Sequence, residues 1–230
     1  MTHDIVYILR DGKNEELRYS LRSIEKNYPH ERVVFYGGKP DGIEPDLFVP
    51  YTQPGDTKWE KVRNTVEMIC KNDNLTEDFI LFNDDFFIMK PVETPTNYYD
   101  GTLDERIKVI EGAAFGRHSE YSDCLRHLAE TLRSAGVANP LNYAHHTPMI
   151  INREKMLETL KKYPNEPMFR ALYGNINQIG GENMPDVKFY QRRQPFPIGQ
   201  YVSTADESWR QEKIGQIIRG KFALRSRFER

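Results

Sequence analysis

Hydrophobic residues along this chain fall into short runs separated by punctuated polar stretches. Asp4-Ile5-Val6-Tyr7-Ile8-Leu9 is apolar at nearly every position and stops at Arg10-Asp11-Gly12, the pattern of a strand buried on both faces followed by a turn. Asn14 can cap a helix running through Asn27, in which Leu17, Leu21 and Ile24 recur at helical spacing before Tyr28-Pro29 ends it. Arg32 to Tyr36 predicts a second strand, closed by Gly37-Gly38, and Leu47-Phe48-Val49 a third. Lys58 to Lys71 places Trp59, Val62, Val66 and Ile69 on one helical stripe. A further run then begins at Asp78-Phe79-Ile80-Leu81-Phe82, breaks at Asn83-Asp84-Asp85, and resumes as Phe86-Phe87-Ile88.

The second half is less regular. Pro91 to Thr102 reads as a loop, Ile107-Lys108-Val109-Ile110 as a strand, and Ser119 to Ala135 as a helix ended by Gly136. Tyr143 to Ile151 reads as a strand or loop, Arg153 to Tyr163 as a helix, and Glu207 to Arg219 as another. Strands alternating with helices in the first 90 or so residues predict an α/β protein with a mostly parallel sheet between helical layers. In such sheets ligands bind beyond the carboxyl ends of the strands. Arg10-Asp11, Gly37-Gly38 and Asn83-Asp84-Asp85 are all expected there.

The Asp pair carries the chemistry. Two adjacent carboxylates between apolar runs repel each other unless a cation lies near them. Mg²⁺ or Mn²⁺ suits such oxygen ligands and keeps positions open for a diphosphate, which points to a transferase with a nucleotide-activated donor. The plainer alternative is a turn whose two Asp residues face water or cap the next element. His145-His146-Thr147-Pro148 is a second candidate. On extended backbone only one of the two histidines faces a site, as metal ligand, base or hydrogen-bond donor to a phosphate; a structural histidine is the alternative. Arg18 and Arg22 lie one helical turn apart and can hold phosphate, or pair with Glu15 or Glu25. Asp206 starts a helix, as cap or as catalytic carboxylate, with Ser203 and Thr204 as other capping candidates.

Composition narrows the class. The chain has 230 residues, 38% hydrophobic and 29% charged, with only two cysteines, so neither a disulfide framework nor a membrane span is expected. No basic leader precedes the first strand, which predicts a cytoplasmic protein. The net charge of −2 hides an uneven distribution: Asp186 to Arg230 holds ten Lys and Arg against five Asp and Glu. A basic end suggests a polyanionic ligand, or a solvated helix face and tail. There is no P-loop, GxGxxG, GxSxG or zinc-type Cys/His spacing, which argues against an ATPase, a Rossmann dehydrogenase, a serine hydrolase and a zinc enzyme.

Three blocks carry a family resemblance: Leu17-Arg18-Tyr19-Ser20-Leu21-Arg22-Ser23-Ile24-Glu25, Phe82-Asn83-Asp84-Asp85, and Ala144-His145-His146-Thr147-Pro148-Met149. They resemble conserved blocks of the Stealth family of sugar-1-phosphate transferases, with fainter echoes at Asp4-Ile5-Val6-Tyr7, Ser203-Thr204-Ala205-Asp206 and Ser226-Arg227-Phe228-Glu229. The resemblance implies a GT-A-like nucleotide-sugar fold and a divalent metal. By matched position, Asp84 and Asp85 would bind metal and donor diphosphate, Arg18 and Arg22 would shape the donor site, and His146 would stand at the reacting centre. Where the family carries a Leu-Pro-Thr-Phe-Asn-Ser type segment, this chain has Lys58 to Asn64, and it is short for the family. Compact relatives are glycosyltransferases, some of them phage-encoded and so acting in a host cytoplasm.

The expectation is a single GT-A-like domain over residues 1–230, with a nucleotide-sugar half (1–100) and an acceptor half (101–230). It would move a sugar from a nucleotide-diphosphate sugar, a uridine one, to a glycan, a teichoic-type polymer or modified DNA. Asp84, Asp85 and His146 are the expected metal ligands. Arg10, Asp11, Arg18, Arg22, Asn83 and Asp84 are the expected donor contacts, and His146, Asp206 and Asp85 the catalytic groups. Sugar-1-phosphate transfer and an inactive nucleic-acid-binding protein on the same fold are the alternatives.

Overall fold

The computed structural model describes residues 2–113, 119–190 and 198–230. Its first strand, β1 (Asp4–Leu9), leads through the Asn14 cap into α1 (Glu15–Asn27). The Asn14 side chain accepts the Leu17 N–H at 2.9 Å, satisfying one of the orphan donors of the first turn. Leu17, Leu21 and Ile24 are buried as one stripe, and the helix ends at Tyr28 before Pro29. Next come β2 (Val33–Gly37), β3 (Leu47–Pro50), α2 (Lys58–Cys70), β4 (Asp78–Phe82) and β5 (Phe86–Ile88). Thr57 and Glu60 form a reciprocal capping box at the start of α2.

After β6 (Tyr98–Tyr99) the chain forms α3 (Leu103–Ala113), α4 (Glu120–Ser134), β7 (Met149–Asn152), α5 (Arg153–Lys162) and α6 (Phe169–Ile176). It closes with β8 (Glu182–Asn183), β9 (Lys188–Phe189), β10 (Tyr201–Thr204), α7 (Asp206–Gln211) and α8 (Lys213–Lys221).

The main sheet has the order β3-β2-β1-β4-β7, with β7 antiparallel to β4 and the other four strands parallel. Alternate side chains go to opposite layers, as the two-residue period of a strand requires. Val6, Val34, Phe79, Leu81 and Ile151 pack with α2, α4, α5 and α6 on one face. Ile5, Tyr7, Leu9, Phe35, Ile80 and Phe82 pack on the other, with α1, β5 and Phe228. The expected α/β class, a mostly parallel sheet flanked by helices, is the one observed.

Two local expectations differ, and one helix, α6, has no counterpart in the sequence reading. Residues 107–110 belong to α3, not to a strand. Thr102 and Glu105 form a capping box, with the Thr102 N–H donating to Glu105 Oε2 at 2.7 Å and the Glu105 N–H to Thr102 Oγ1 at 3.2 Å. Leu103 and Ile107 then bury one turn apart. Helix α6 lacks a polar start signal: Met168 caps it without a side-chain bond, and its residues are buried nearly all round. Gly174 within it lies against Tyr143, whose ring would be 2.4 Å from an added Cβ. The helix expected over 207–219 is two, because Glu212 is extended (φ −99°, ψ 159°) between α7 and α8.

The Asp pair lies where the chain leaves the main sheet. Residues 83–85 turn from β4 into β5, which pairs antiparallel with β10 in a second small sheet, Phe86 opposite Ser203. The apolar run resumes after the acids because it enters a different buried layer.

Candidate donor-binding cavity

A cavity of about 790 Å³ opens at the carboxyl ends of β1 and β4. Arg10 and Asp11 line it from the end of β1, Asn83 and Asp84 from the end of β4, and Asn14 to Glu16 from the start of α1. Phe169 and Arg170 of α6 and Asp206, Trp209 and Arg210 of α7 close the far side, so both halves of the chain build it. A close approach of backbone sets the β1 corner. Gly38 has no room for a Cβ, which would lie 2.2 Å from the Asp11 nitrogen. Its N–H donates to the Leu9 carbonyl at 2.9 Å, and Lys39 N–H donates to Asp11 Oδ1 at 2.8 Å.

The carboxylates are arranged unequally. Asp84 is partly buried at the cavity wall, accepting Asn14 Nδ2 at 2.6 Å. Burial raises its pKa; the Asn14 hydrogen bond opposes the shift and neighbouring Asp85 adds to it. Asp85 Oδ2 instead receives Lys188 Nζ at 2.8 Å and the Ser203 hydroxyl at 2.7 Å. Glu16, in the first turn of α1, accepts the Thr204 hydroxyl at 2.5 Å. Its pKa is pushed up to about 7, first by burial and then by Asp85, Asp84 and Asp206. Cations balance this acid floor. Arg10, Lys13, Arg170 and Arg210 line the same space. Arg170 donates to the Thr147 carbonyl at 2.5 Å, while its Nε is buried without a hydrogen-bond partner. Burial lowers its pKa to about 10, against the pull of Asp186 and Asp85.

The structure therefore gathers Arg10, Asp11, Asn83, Asp84 and Asp206 around one cavity, while Asp85 is not among the lining residues and is held by Lys188 and Ser203. It does not bring Arg18 and Arg22 there. Arg22 makes a two-pronged bond to Glu229, at 2.7 and 2.6 Å, and also donates to the Phe222 carbonyl at 2.9 Å. Arg18 donates to the Asp41 carbonyl at 2.6 Å and lies 3.6 Å from Glu229. Facing guanidiniums on α1 thus clamp the C-terminal segment to the helix instead of lining the cavity. His145 is buried, its ring bonded to Thr147 Oγ1 and the Met184 carbonyl. His146 is partly exposed beside Asp186 and is not among the lining residues. At α7 the cap is Ala205, whose N–H donates to Ser208 Oγ at 2.9 Å, so Ser203, Thr204 and Asp206 do not cap it.

Four residues of this region escaped the sequence reading: Glu16, Arg170, Asp186 and Lys188. The available signal was weak. Asp186 and Lys188 are two apart next to a strand, so they share a face, but that strand is two residues long.

Among the described residues no group of three or more His, Cys, Asp or Glu side chains is placed to hold a metal ion, the trio of Asp84, Asp85 and His146 included. Lys188 stands against Asp85, and His146 faces Asp186. What fits is a hard divalent ion with one or two carboxylate ligands, completed by water and ligand phosphate oxygens. Asp84, partly buried beside other acids with one side-chain hydrogen bond, is the ligand suited to it.

No protein-family model matches the chain, and no curated protein matches it. Among solved structures it is similar to the galactosyltransferase LgtC in complex with donor and acceptor sugar analogs, at 10% identity and a TM-score of 0.49, over 97% of this chain and 96% of that one. It is also similar to apo GlyE, a glycosyltransferase of Streptococcus pneumoniae TIGR4, at 9% identity and 0.46, over 97% of this chain and 61% of that one. Mouse xyloside xylosyltransferase 1 gives 8% identity and 0.41, over 100% and 96%.

Proposed function

We propose that the cavity binds a nucleotide-diphosphate sugar and that the protein transfers the sugar to a hydroxyl of a polymeric acceptor. One observation carries this reading: carboxylates and guanidiniums converge on a single cleft beyond the carboxyl ends of parallel strands, where α/β sheets bind ligands. Arg10, Lys13, Arg170 and Arg210 would offset the charge of a diphosphate. Asn83 and Asp84 face the donor. Asp84, with Asp85 behind it, would hold Mn²⁺ or Mg²⁺, which when bound would neutralise charge on the leaving diphosphate. Glu16 and Asp206 keep the floor acidic, so an anion would enter against the basic wall. His146 or Asp206 would take the acceptor proton.

A uridine nucleotide, membership of a Stealth-like family and a compact phage-type form belong to the same reading, supported by the sequence blocks around Arg18, Asp84 and His146. The acceptor classes are glycan, teichoic-type polymer or modified DNA. Among the described residues no helix is long and apolar enough to cross a membrane.

The basic C-terminal end supports the nucleic-acid alternative less than its charge suggests. Arg227 pairs with Asp46 at 2.5 and 2.8 Å, Arg230 with Glu44 at 3.0 Å, and Lys188 with Asp85. Arg192 and Arg193 lie outside the described residues. Incubation with UDP-sugars and Mn²⁺, followed by identification of the released nucleotide, tests the proposal. UDP means glycosyl transfer and UMP means sugar-1-phosphate transfer. Release of neither across a broad donor panel, without thermal stabilisation by UDP and Mn²⁺, overturns both.

A further inference from the structure

Beside the cavity, but outside its lining, the structure builds a second polar assembly around His146. Its Nδ1 is 2.8 and 3.0 Å from the two oxygens of Asp186, and its backbone N–H donates to Asp186 Oδ1 at 3.1 Å. An ionised carboxylate only accepts, so Nδ1 carries the hydrogen and, in the neutral imidazole, Nε2 is left with a lone pair. His146 keeps 27% of its side chain exposed, whereas Asp186 keeps 12%. The orienting group is therefore inside and the imidazole reaches outward. Burial acts to raise the Asp186 pKa, but the His146 hydrogen bond and, in the acid range where the imidazoles are charged, His146 and His145 outweigh it and hold the carboxyl well below its ordinary range.

The assembly is tied to the cavity by two cations. Lys188, two residues from Asp186, pairs with Asp85 and also feels Asp186. Arg170 lines the cavity, donates to the carbonyl of Thr147 next to His146, and faces both Asp186 and Asp85.

We infer that Asp186 is a positioning residue that fixes the tautomer and direction of His146, making its Nε2 the base for the acceptor hydroxyl. The inference rests on the transferase reading above and narrows its choice of base from two groups to one. In the step, the acceptor oxygen bonds the anomeric carbon while its proton passes to Nε2. The bond from that carbon to the diphosphate oxygen breaks, and its electron pair leaves with the nucleoside diphosphate. The imidazolium so formed is stabilised by the carboxylate behind it.

Two measurements on the full chain test this. The first is long-range proton–nitrogen NMR of histidine-labelled protein above pH 8, which reads the tautomer without any substrate. Wild type should show His146 as Nδ1–H; Asp186→Asn should switch or mix the tautomers, and Asp186→Glu should restore the wild-type form. The second is kinetics with UDP-sugars. Asp186→Asn should lower kcat by roughly 10²–10⁴-fold with donor KM changed less than about threefold, and Asp186→Glu should regain at least about tenfold. Thermal melting identifies variants that fail to fold, in which case the wild-type tautomer and a His146→Gln variant decide. Wild-type His146 in the Nε2–H form overturns the pairing, even where turnover exists. The expected tautomer with no turnover from any donor overturns the transfer reading, and with it the base role. A fall in donor affinity equal to the fall in kcat marks Asp186 as merely structural and overturns the inference.

Discussion

Replacing Glu16 by Gln should stabilise the protein at alkaline pH and leave it nearly unchanged in mild acid. The Glu16 carboxyl is pushed from an ordinary value of 4.5 to about 7 by burial and by Asp85, Asp84 and Asp206. The folded protein therefore holds a proton that the unfolded chain releases near pH 4.5, so stability falls as pH rises from there through about 7. A displacement of this size corresponds to about 3 kcal/mol at full effect. Glu16 is not fully enclosed, so solvent screening reduces the expected penalty to ~1–2 kcal/mol at pH 8. Gln keeps the oxygen that accepts the Thr204 hydroxyl and removes only the charge. Urea unfolding at pH 5 and pH 8 is the assay. The variant should gain ~1–2 kcal/mol at pH 8 and less than about 0.5 kcal/mol at pH 5, with Tm at pH 8 higher by roughly 2–8 °C. An equal difference at both pH values, or a wild type that is more stable than the variant at pH 8, would refute the picture of a self-repelling acidic floor.

Asp84→Asn should abolish release of nucleotide from UDP-sugars while Tm stays level or rises, because burial already disfavours the carboxylate; a Tm drop of more than about 5 °C would mark Asp84 as a structural group. Arg22→Met should cost about 3 kcal/mol in urea unfolding, since it leaves the nearly buried Glu229 with only Ser226 and the more distant Arg18, yet leave UDP binding by calorimetry unchanged. Arg22 and Ser226 hold the Glu229 carboxyl down to about 2 despite burial, so wild type should lose this contribution as pH falls from about 4.5 through 2, and the variant should show a flatter acid limb. Gly38→Ala should destabilise by about 1–3 kcal/mol and weaken UDP binding together, because its Cβ would push on the backbone of Arg10 and Asp11; a neutral result in both measurements would mean that this corner does not position the site.

What the sequence determined by itself is local and periodic. The buried run of β1, the Asn14 cap, the stripes of α1 and α2 and the acids at the end of β4 follow from spacing and capping chemistry, which act over a few residues. Strand ends in an alternating α/β chain fix where Arg10, Asp11, Asn83 and Asp84 must converge. What only the tertiary structure decided is the set of partners. Arg22 meets Glu229 across 207 residues, Asp85 meets Lys188 across 103, and His146 meets Asp186 across 40. An arginine that binds phosphate and one that clamps a buried glutamate carry the same local pattern, and only the fold brings the second group within reach. Helix α6 carries an apolar period, Phe169, Leu172, Tyr173 and Ile176, but it is only eight residues long and no side chain caps its start. Charge chemistry is decided by distance and solvent access, and those quantities exist only once the chain has folded.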